Sequence, residues 1–175
     1  MKIGLMGAHC SGKTTLAREL VLKLQPKYSK LGYVSSVARR CSIKEPIEDK
    51  QNWIIVSRIQ EEIELSQESD CTVCERTVLD DYSYYAQACI RNKCGDGSFI
   101  TMQKHIVNRW LRTYDKLFLL EPLPLVSDGV RPTDLQEQEE LYSLMVNFLN
   151  ENNIDYEIVP KMELNERVDF VMKRL

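Results

Sequence analysis

A three-layer α/β fold, with a parallel sheet between helices on both faces, is what this chain predicts, and three observations point there. Short, almost wholly apolar runs suited to buried strands alternate with stretches of helical period along the whole length. The first run, Met1 to Met6, leads into a turn bounded by Gly7 and Gly12, and a helix signature starts directly behind it. With 175 residues and 43% hydrophobic content, the chain suits a single packed domain over residues 1–175 and leaves little room for a second.

Each element has its own signal. The first helix is expected from Lys13 to Gln25, where Pro26 stops it. A second strand reads from Tyr33 to Val37, and Asp49 to Glu68 reads as a helix with Ile55, Ile59 and Ile63 along one side. Cys71 to Cys74 is a third strand. Residues 80–91 and 101–113 are expected as helices, separated by the turn-rich Asn-Lys-Cys-Gly-Asp-Gly, with Thr101 available as a cap. Lys116 to Leu120 is a fourth strand. A loop then runs to Thr133, which has Gln136 three residues on and reads as a capping box. The helix it opens carries Leu141, Leu144, Met145, Phe148 and Leu149 as one apolar face. Tyr156 to Val159 is a fifth strand, and Leu164 to Leu175 a closing helix.

Composition narrows the function classes. No apolar run approaches the ~18 residues of a spanning helix, and MKIGLMGAHC turns to Gly, His and Cys before a signal-peptide core could form. A cytoplasmic protein with no membrane segment is expected. A net charge of −3 and a pI near 5.5 count against a broad surface that grips nucleic acid. The charge is uneven, with eight Lys/Arg against one Glu over residues 1–40 and one Arg against nine Asp/Glu over 121–157. Anion chemistry is therefore expected toward the N-terminal part. Six cysteines, at 10, 41, 71, 74, 89 and 94, are too sparse for a disulfide scaffold. Cys71 and Cys74 are three apart in a strand and so point to opposite faces, which favours core packing over zinc.

Gly7-Ala-His-Cys-Ser11-Gly12-Lys13-Thr14 matches G-x-x-x-x-G-K-[ST] and lies between a strand and a helix start, where a phosphate-binding loop must lie. The glycines let backbone N–H groups wrap a phosphate, and the helix N-terminus offers more unpaired donors. Gly7, Ser11, Gly12, Lys13, Thr14 and Thr15 are thus the candidate nucleotide-binding residues, with Lys13 bridging phosphates and the Thr14 hydroxyl on Mg²⁺. After the third strand come Glu75 and Arg76, at the strand end that should face the same crevice. Glu75 suits either a magnesium site or a base toward an acceptor hydroxyl, and Arg76 a clamp on substrate or transferring phosphate. Arg39 and Arg40 after the second strand, and Asp80, are candidate acceptor contacts, with a solvated surface pair the alternative for the two arginines. Arg131, in Asp-Gly-Val-Arg-Pro, fits a lid-like loop at 121–135 that reaches a phosphate, and an ordinary turn is the alternative. Trp53, Trp110 and the tyrosines 82, 84 and 85 read as core or helix surface, with stacking on a base left open.

The phosphate loop opening at Gly7, Glu-Arg-x-x-x-Asp from Glu75 to Asp80, and Tyr-Asp-x-x-Phe-Leu-Leu-Glu-Pro from Tyr114, followed by Asp-Gly-x-Arg, together give a resemblance. The chain resembles the small P-loop kinases that include the ribosylnicotinamide kinase domain and its nucleoside and nucleotide kinase relatives. That resemblance implies a five-stranded parallel sheet in the order 2-3-1-4-5, ATP with Mg²⁺, and an arginine-bearing lid, which here is Arg131. It puts Glu75 in the place of the acidic residue after strand three, often Asp in relatives. Residues 38–70 match least and are expected to hold the acceptor.

The expected activity is transfer of the γ-phosphoryl of ATP to a small acceptor, a nucleoside or nucleotide. Alternatives are a non-catalytic ATP-binding module and a kinase acting on a hydroxymethylated base in DNA. A regulatory GTPase would want Asn-Lys-x-Asp, but in Asn92-Lys-Cys-Gly-Asp96 the acid comes one place late. No G-x-G-x-x-G follows any strand, so a dinucleotide fold is excluded. The exposed faces of the middle helices offer a surface for a homodimer.

Overall fold

The computed structural model describes residues 1–92, 96–125 and 134–175. Five strands, β1 (Lys2–Met6), β2 (Leu31–Val34), β3 (Cys71–Cys74), β4 (Lys116–Leu120) and β5 (Glu157–Val159), form one sheet in the order β2-β3-β1-β4-β5. Every pairing is parallel. β1 is central and wholly buried, with Gly4 opposite Cys74 on one side and Leu117 on the other. The turn after β1 therefore opens where the flanking strands diverge in chain order, the place where such sheets bind ligands.

Among the described residues six α-helices cover the two faces: α1 (Lys13–Leu24), α2 (Ile47–Glu68), α3 (Val78–Asn92), α4 (Gly97–Leu111), α5 (Leu135–Glu151) and α6 (Leu164–Met172). Side chains alternate across the sheet as its two-residue period demands. Ile3, Leu5, Cys71, Val73, Phe118 and Leu120 join Leu16, Leu20 and Val171 in the core under α1 and α6. Met6, Cys74, Leu117 and Leu119 join Ile55, Leu79, Val107, Leu141 and Phe148 in the core under α2 to α5. Full burial of each such large side chain stabilises the fold by about 1.5–3 kcal/mol. Cys71 and Cys74 thus sit in different cores, as their spacing predicts. No helix among the described residues is long and apolar enough to cross a membrane.

Several boundaries differ from expectation. β2 ends at Val34, because Val37–Arg40 winds into a single 3₁₀ turn. α4 starts at Gly97, where Asp96 accepts the Ser98 N–H, and Thr101 instead donates its hydroxyl to the Gly97 carbonyl inside the helix. α5 is capped by Asp134, which accepts from the N–H groups of Gln136 and Glu137. Thr133, the expected cap, lies outside the described residues, as do Cys94, Asp128 and Arg131.

The largest correction concerns α2. Ile63 is 42% exposed, and the buried row is Gln51, Ile54, Ile55, Arg58 and Glu62. Two charged residues face inward because each meets charged or hydrogen-bonding partners there. Arg58 pairs with Asp81, while Glu62 receives Lys2, Trp110 and Tyr114. Satisfied buried polar groups tie α2 to α3 and to the foot of β1 in ways that an apolar face could not specify.

Candidate active site

The loop from Gly7 to Gly12 adopts its shape because two positions lack a side chain. Gly12 has φ 79°, and a Cβ there would lie 3.1 Å from Nη1 of Arg167. Gly7 has φ 151°, and a Cβ there would lie 2.9 Å from the Leu120 carbonyl oxygen and the Ser11 hydroxyl. The loop therefore packs against the end of β4 and against α6 at distances that only glycine permits. The Gly12 carbonyl accepts the Leu16 N–H at 2.9 Å, which begins α1. No acidic residue of α1 lies in its own first turn, and an anion is favoured at its positive end.

Lys13 opens the helix and folds back over the loop. Its Nζ donates to the carbonyls of Gly7 at 2.6 Å and Ala8 at 2.7 Å and to the Ser11 hydroxyl at 3.0 Å. It lies 3.9 Å from Oδ1 of Asp80. Thr14 donates its hydroxyl to Oε1 of Glu75 at 2.6 Å, and Tyr33, from β2, donates to Oε2 at 2.5 Å. The loop, the end of β2 and the end of β3 thus meet on one carboxylate. Burial pushes the Glu75 carboxyl up, but hydrogen bonds from Thr14 and Tyr33 and the charges of Arg76 and Arg39 outweigh it and hold the group below the usual carboxylate range. Burial and the same carboxylate push the Tyr33 hydroxyl the other way.

A cavity of about 690 Å³ adjoins the loop. Its lining includes His9 from the loop, Arg39 from the 3₁₀ turn, Gln51 from α2, and Arg76, Asp81 and Tyr84 around the start of α3. Residues 38–70, expected to hold the acceptor, supply one wall through Arg39, Lys50, Gln51 and Ile54. The two adjacent arginines are both exposed but part company: Arg39 lines the cavity, while Arg40 pairs with Glu61. Asp80, expected as an acceptor contact, is wholly buried beneath the loop. It accepts from the Gly7 N–H at 3.3 Å and from the Thr77 N–H at 2.9 Å, and Arg76 lies 3.8 Å away. Burial pushes its carboxyl up against the lowering pull of Lys13 and Arg76. Its neighbour Asp81 is the acid at the cavity wall. Thr15 is exposed at the start of α1.

Sequence reasoning missed Gln51, Arg58 and Asp81. Gln51 is buried and lines the cavity, and its Nε2 has no hydrogen-bond partner among the described residues. Arg58 donates through Nη1 to the Arg76 carbonyl at 2.9 Å and so fixes both Asp81 and Arg76. A signal was present, since Gln51, Arg58 and Glu62 repeat at helical spacing on the row that packs inward. Of the aromatic residues, Tyr84 and Tyr85 line the cavity, Tyr82 packs edge-on against Phe148, and Trp110 donates to Glu62.

A parallel sheet in this strand order, with a glycine-bounded loop leading from its central strand into a helix that begins Lys-Thr, defines a P-loop NTPase fold. Within that class the chain belongs to an AAA domain family, whose profile matches residues 2–167. No curated protein sequence matches it. Among solved structures it is similar to a deoxyadenosine kinase from M. mycoides with bound dCTP, at TM-score 0.69 and 16% identity over 99% of this chain and 98% of that one. The same enzyme with the products dCMP and a flexible dCDP gives TM-score 0.73 and 15% identity, with 99% and 98% covered. Thymidylate kinase from Ehrlichia chaffeensis gives 0.70 and 15%, with 99% and 97% covered.

Proposed function

We propose that the chain transfers the γ-phosphoryl group of ATP to a nucleoside or nucleotide held in the cavity beside the phosphate loop. The observation that carries this reading is contiguity. Thr14 of the loop touches Glu75, and the next residue, Arg76, lines the cavity. A donor phosphate over the loop and an acceptor in the cavity would therefore meet at the end of β3. The kinase names of the similar structures support the acceptor class, and the loop chemistry supports a nucleoside triphosphate donor.

Catalysis in such a site is mainly positioning and neutralisation of charge. The backbone from Gly7 to Gly12 cradles the phosphates, Lys13 moves its ammonium from the loop carbonyls to the phosphate oxygens, and Thr15 extends the donor set at the helix start. Arg76 and Arg39 hold the acceptor's polar or anionic end, and Arg131 is the phosphate contact supplied by the loop after β4. The hydroxyl of Thr14 and the carboxylate of Glu75 are adjacent hard oxygen donors, a set that suits Mg²⁺. Bound with the nucleotide, Mg²⁺ supplies charge that offsets that of the transferring phosphoryl group. Hydrogen-bonded to Thr14, Glu75 serves the magnesium side of the site in this reading, and a base toward an acceptor hydroxyl is the alternative role that Glu75→Gln tests.

The test is ATP consumption with Mg²⁺ across nucleosides, nucleoside monophosphates, ribosylnicotinamide and hydroxymethylated DNA, against acceptor-free hydrolysis. Stimulation by a nucleoside or nucleotide is expected. Stimulation by the DNA alone would move the acceptor to nucleic acid, and ATP binding without any stimulation would make the protein a nucleotide-binding module.

A further inference from the structure

Each of the five consecutive carbonyls from Gly7 to Ser11 accepts a hydrogen bond. Lys13 takes those of Gly7 and Ala8. The Leu123 N–H takes that of Cys10 at 3.0 Å. The remaining two depend on side chains far away in the sequence. Nε2 of Gln138 on α5 donates to the His9 carbonyl at 2.8 Å, and Nη1 of Arg167 on α6 donates to the Ser11 carbonyl at 2.7 Å. Both side chains are 2% exposed.

Neither is a general scaffold contact that happens to pass the loop. Gln138 also donates to the Leu123 carbonyl at 3.2 Å, and so fixes the residue whose N–H holds Cys10. Arg167 also donates to the carbonyls of Pro160 and Glu121, each at 3.2 Å, and so joins the chain after β4 and after β5 to the loop after β1. Among the described residues no carboxylate lies within ion-pair distance of Arg167. Three carbonyls accept from its guanidinium, the charge of Glu121 also favours its cationic form, and its Nη1 lies 3.1 Å from where a Cβ on Gly12 would be.

A peptide unit is planar and trans, so its C=O and N–H point in opposite directions. Holding the His9 and Ser11 carbonyls outward therefore aims the N–H groups of Cys10 and Gly12 into the loop's concave side, where an anion would be met. We infer that Gln138 and Arg167 are positioning residues for triphosphate binding, which set the loop's donors from behind while Arg167 adds a buried positive charge next to the phosphates. The inference rests on the proposed nucleotide site and adds to it two residues from the C-terminal part of the chain, outside the motif.

The experiment is calorimetric titration of the full chain with Mg·ATP and with inorganic tripolyphosphate, for the unsubstituted protein, Gln138→Leu, Arg167→Met and Arg167→Lys. Arg167→Met is expected to weaken both ligands at least about tenfold and Gln138→Leu about threefold or more, since each removes hydrogen bonds that hold the binding geometry. Arg167→Lys, which keeps the charge and loses the fork, is expected to fall between Arg167→Met and the unsubstituted protein. The KM for the acceptor should stay within about twofold throughout, a selectivity that general loss of stability would not produce. Folded variants that bind tripolyphosphate as the unsubstituted protein does would overturn the inference, and so would equal losses for donor and acceptor. If Arg167→Met does not fold, Gln138→Leu and Arg167→Lys decide by the same criterion. Failure of the unsubstituted protein to bind either ligand would instead overturn the nucleotide site itself.

Discussion

At the amino ends of the strands Lys2 lies 3.2 Å from Glu62, and at the carboxyl ends Lys13 lies 3.9 Å from Asp80. The surroundings of the two pairs differ. Glu62 is fully buried and also receives Trp110 Nε1 at 2.8 Å and the Tyr114 hydroxyl at 2.6 Å. Lys2 donates to Thr113 at 2.6 Å and lies over the rings of Trp110 and Tyr114. Burial and Glu62 push the Tyr114 hydroxyl up, so it remains a donor. There side chains answer side chains, and the cavity beside them, about 360 Å³, is smaller than the one of about 690 Å³ at the loop. Lys13 is held chiefly by backbone carbonyls, and a large cavity adjoins its loop. Neutral dipoles hold the Lys13 ammonium without cancelling its charge, and Asp80 at 3.9 Å offsets that charge in part.

The contrast can be broken at either end, and the largest effect is expected at the loop. Lys13→Ala should lower phosphoryl transfer by about 10³-fold or more with thermal unfolding almost unchanged. Near-normal turnover would end the phosphate-loop assignment. At the other end Glu62→Ala leaves Lys2 buried without its partner and should cost about 3–5 kcal/mol in urea unfolding. The folded fraction should turn over normally, and a stability equal to that of the unsubstituted protein would show that the network does not hold that end together.

Glu75→Gln comes next, with about a 10²-fold loss expected, shared between turnover and affinity for the magnesium nucleotide. A loss confined to turnover would make Glu75 a base. Its carboxyl is held below the ordinary value of about 4.3, so its contributions to activity and stability are complete at neutral pH. They should be lost only as pH falls below the usual carboxylate range, and Glu75→Gln should remove that acid limb. The smallest effect should come from Asp134→Ala, which removes the cap of α5 and should cost about 1 kcal/mol with activity nearly intact.

Much of the frame was legible. β3 and β4 lie where their apolar runs place them, and the loop from Gly7 to Thr14 sits on the central strand. What escaped lies where a polar residue occupies an inward position. Reading α2 by its isoleucines put Ile63 inside, whereas the partners of Arg58 and Glu62 decided the rotation of that helix. Asp80 and Asp81 look equivalent in a one-dimensional reading, yet on α3 one turns under the loop and the other toward the cavity.

The phosphate loop, its lysine and threonine, and the alternation of strands and helices are properties of contiguous chain. Glycine's allowed backbone angles, a helix start and a two-residue side-chain period are all local, so a sequence carries them by itself. The union of Thr14 with Tyr33 on Glu75, the choice of Arg39 over Arg40 for the cavity, and the outer hold of Gln138 and Arg167 on the loop arise otherwise. They join residues up to 156 positions apart, as Arg167 and Ser11 are. Such contacts exist only once the order β2-β3-β1-β4-β5 has brought the carboxyl ends of the strands together, because sheet order is set by packing across the whole domain.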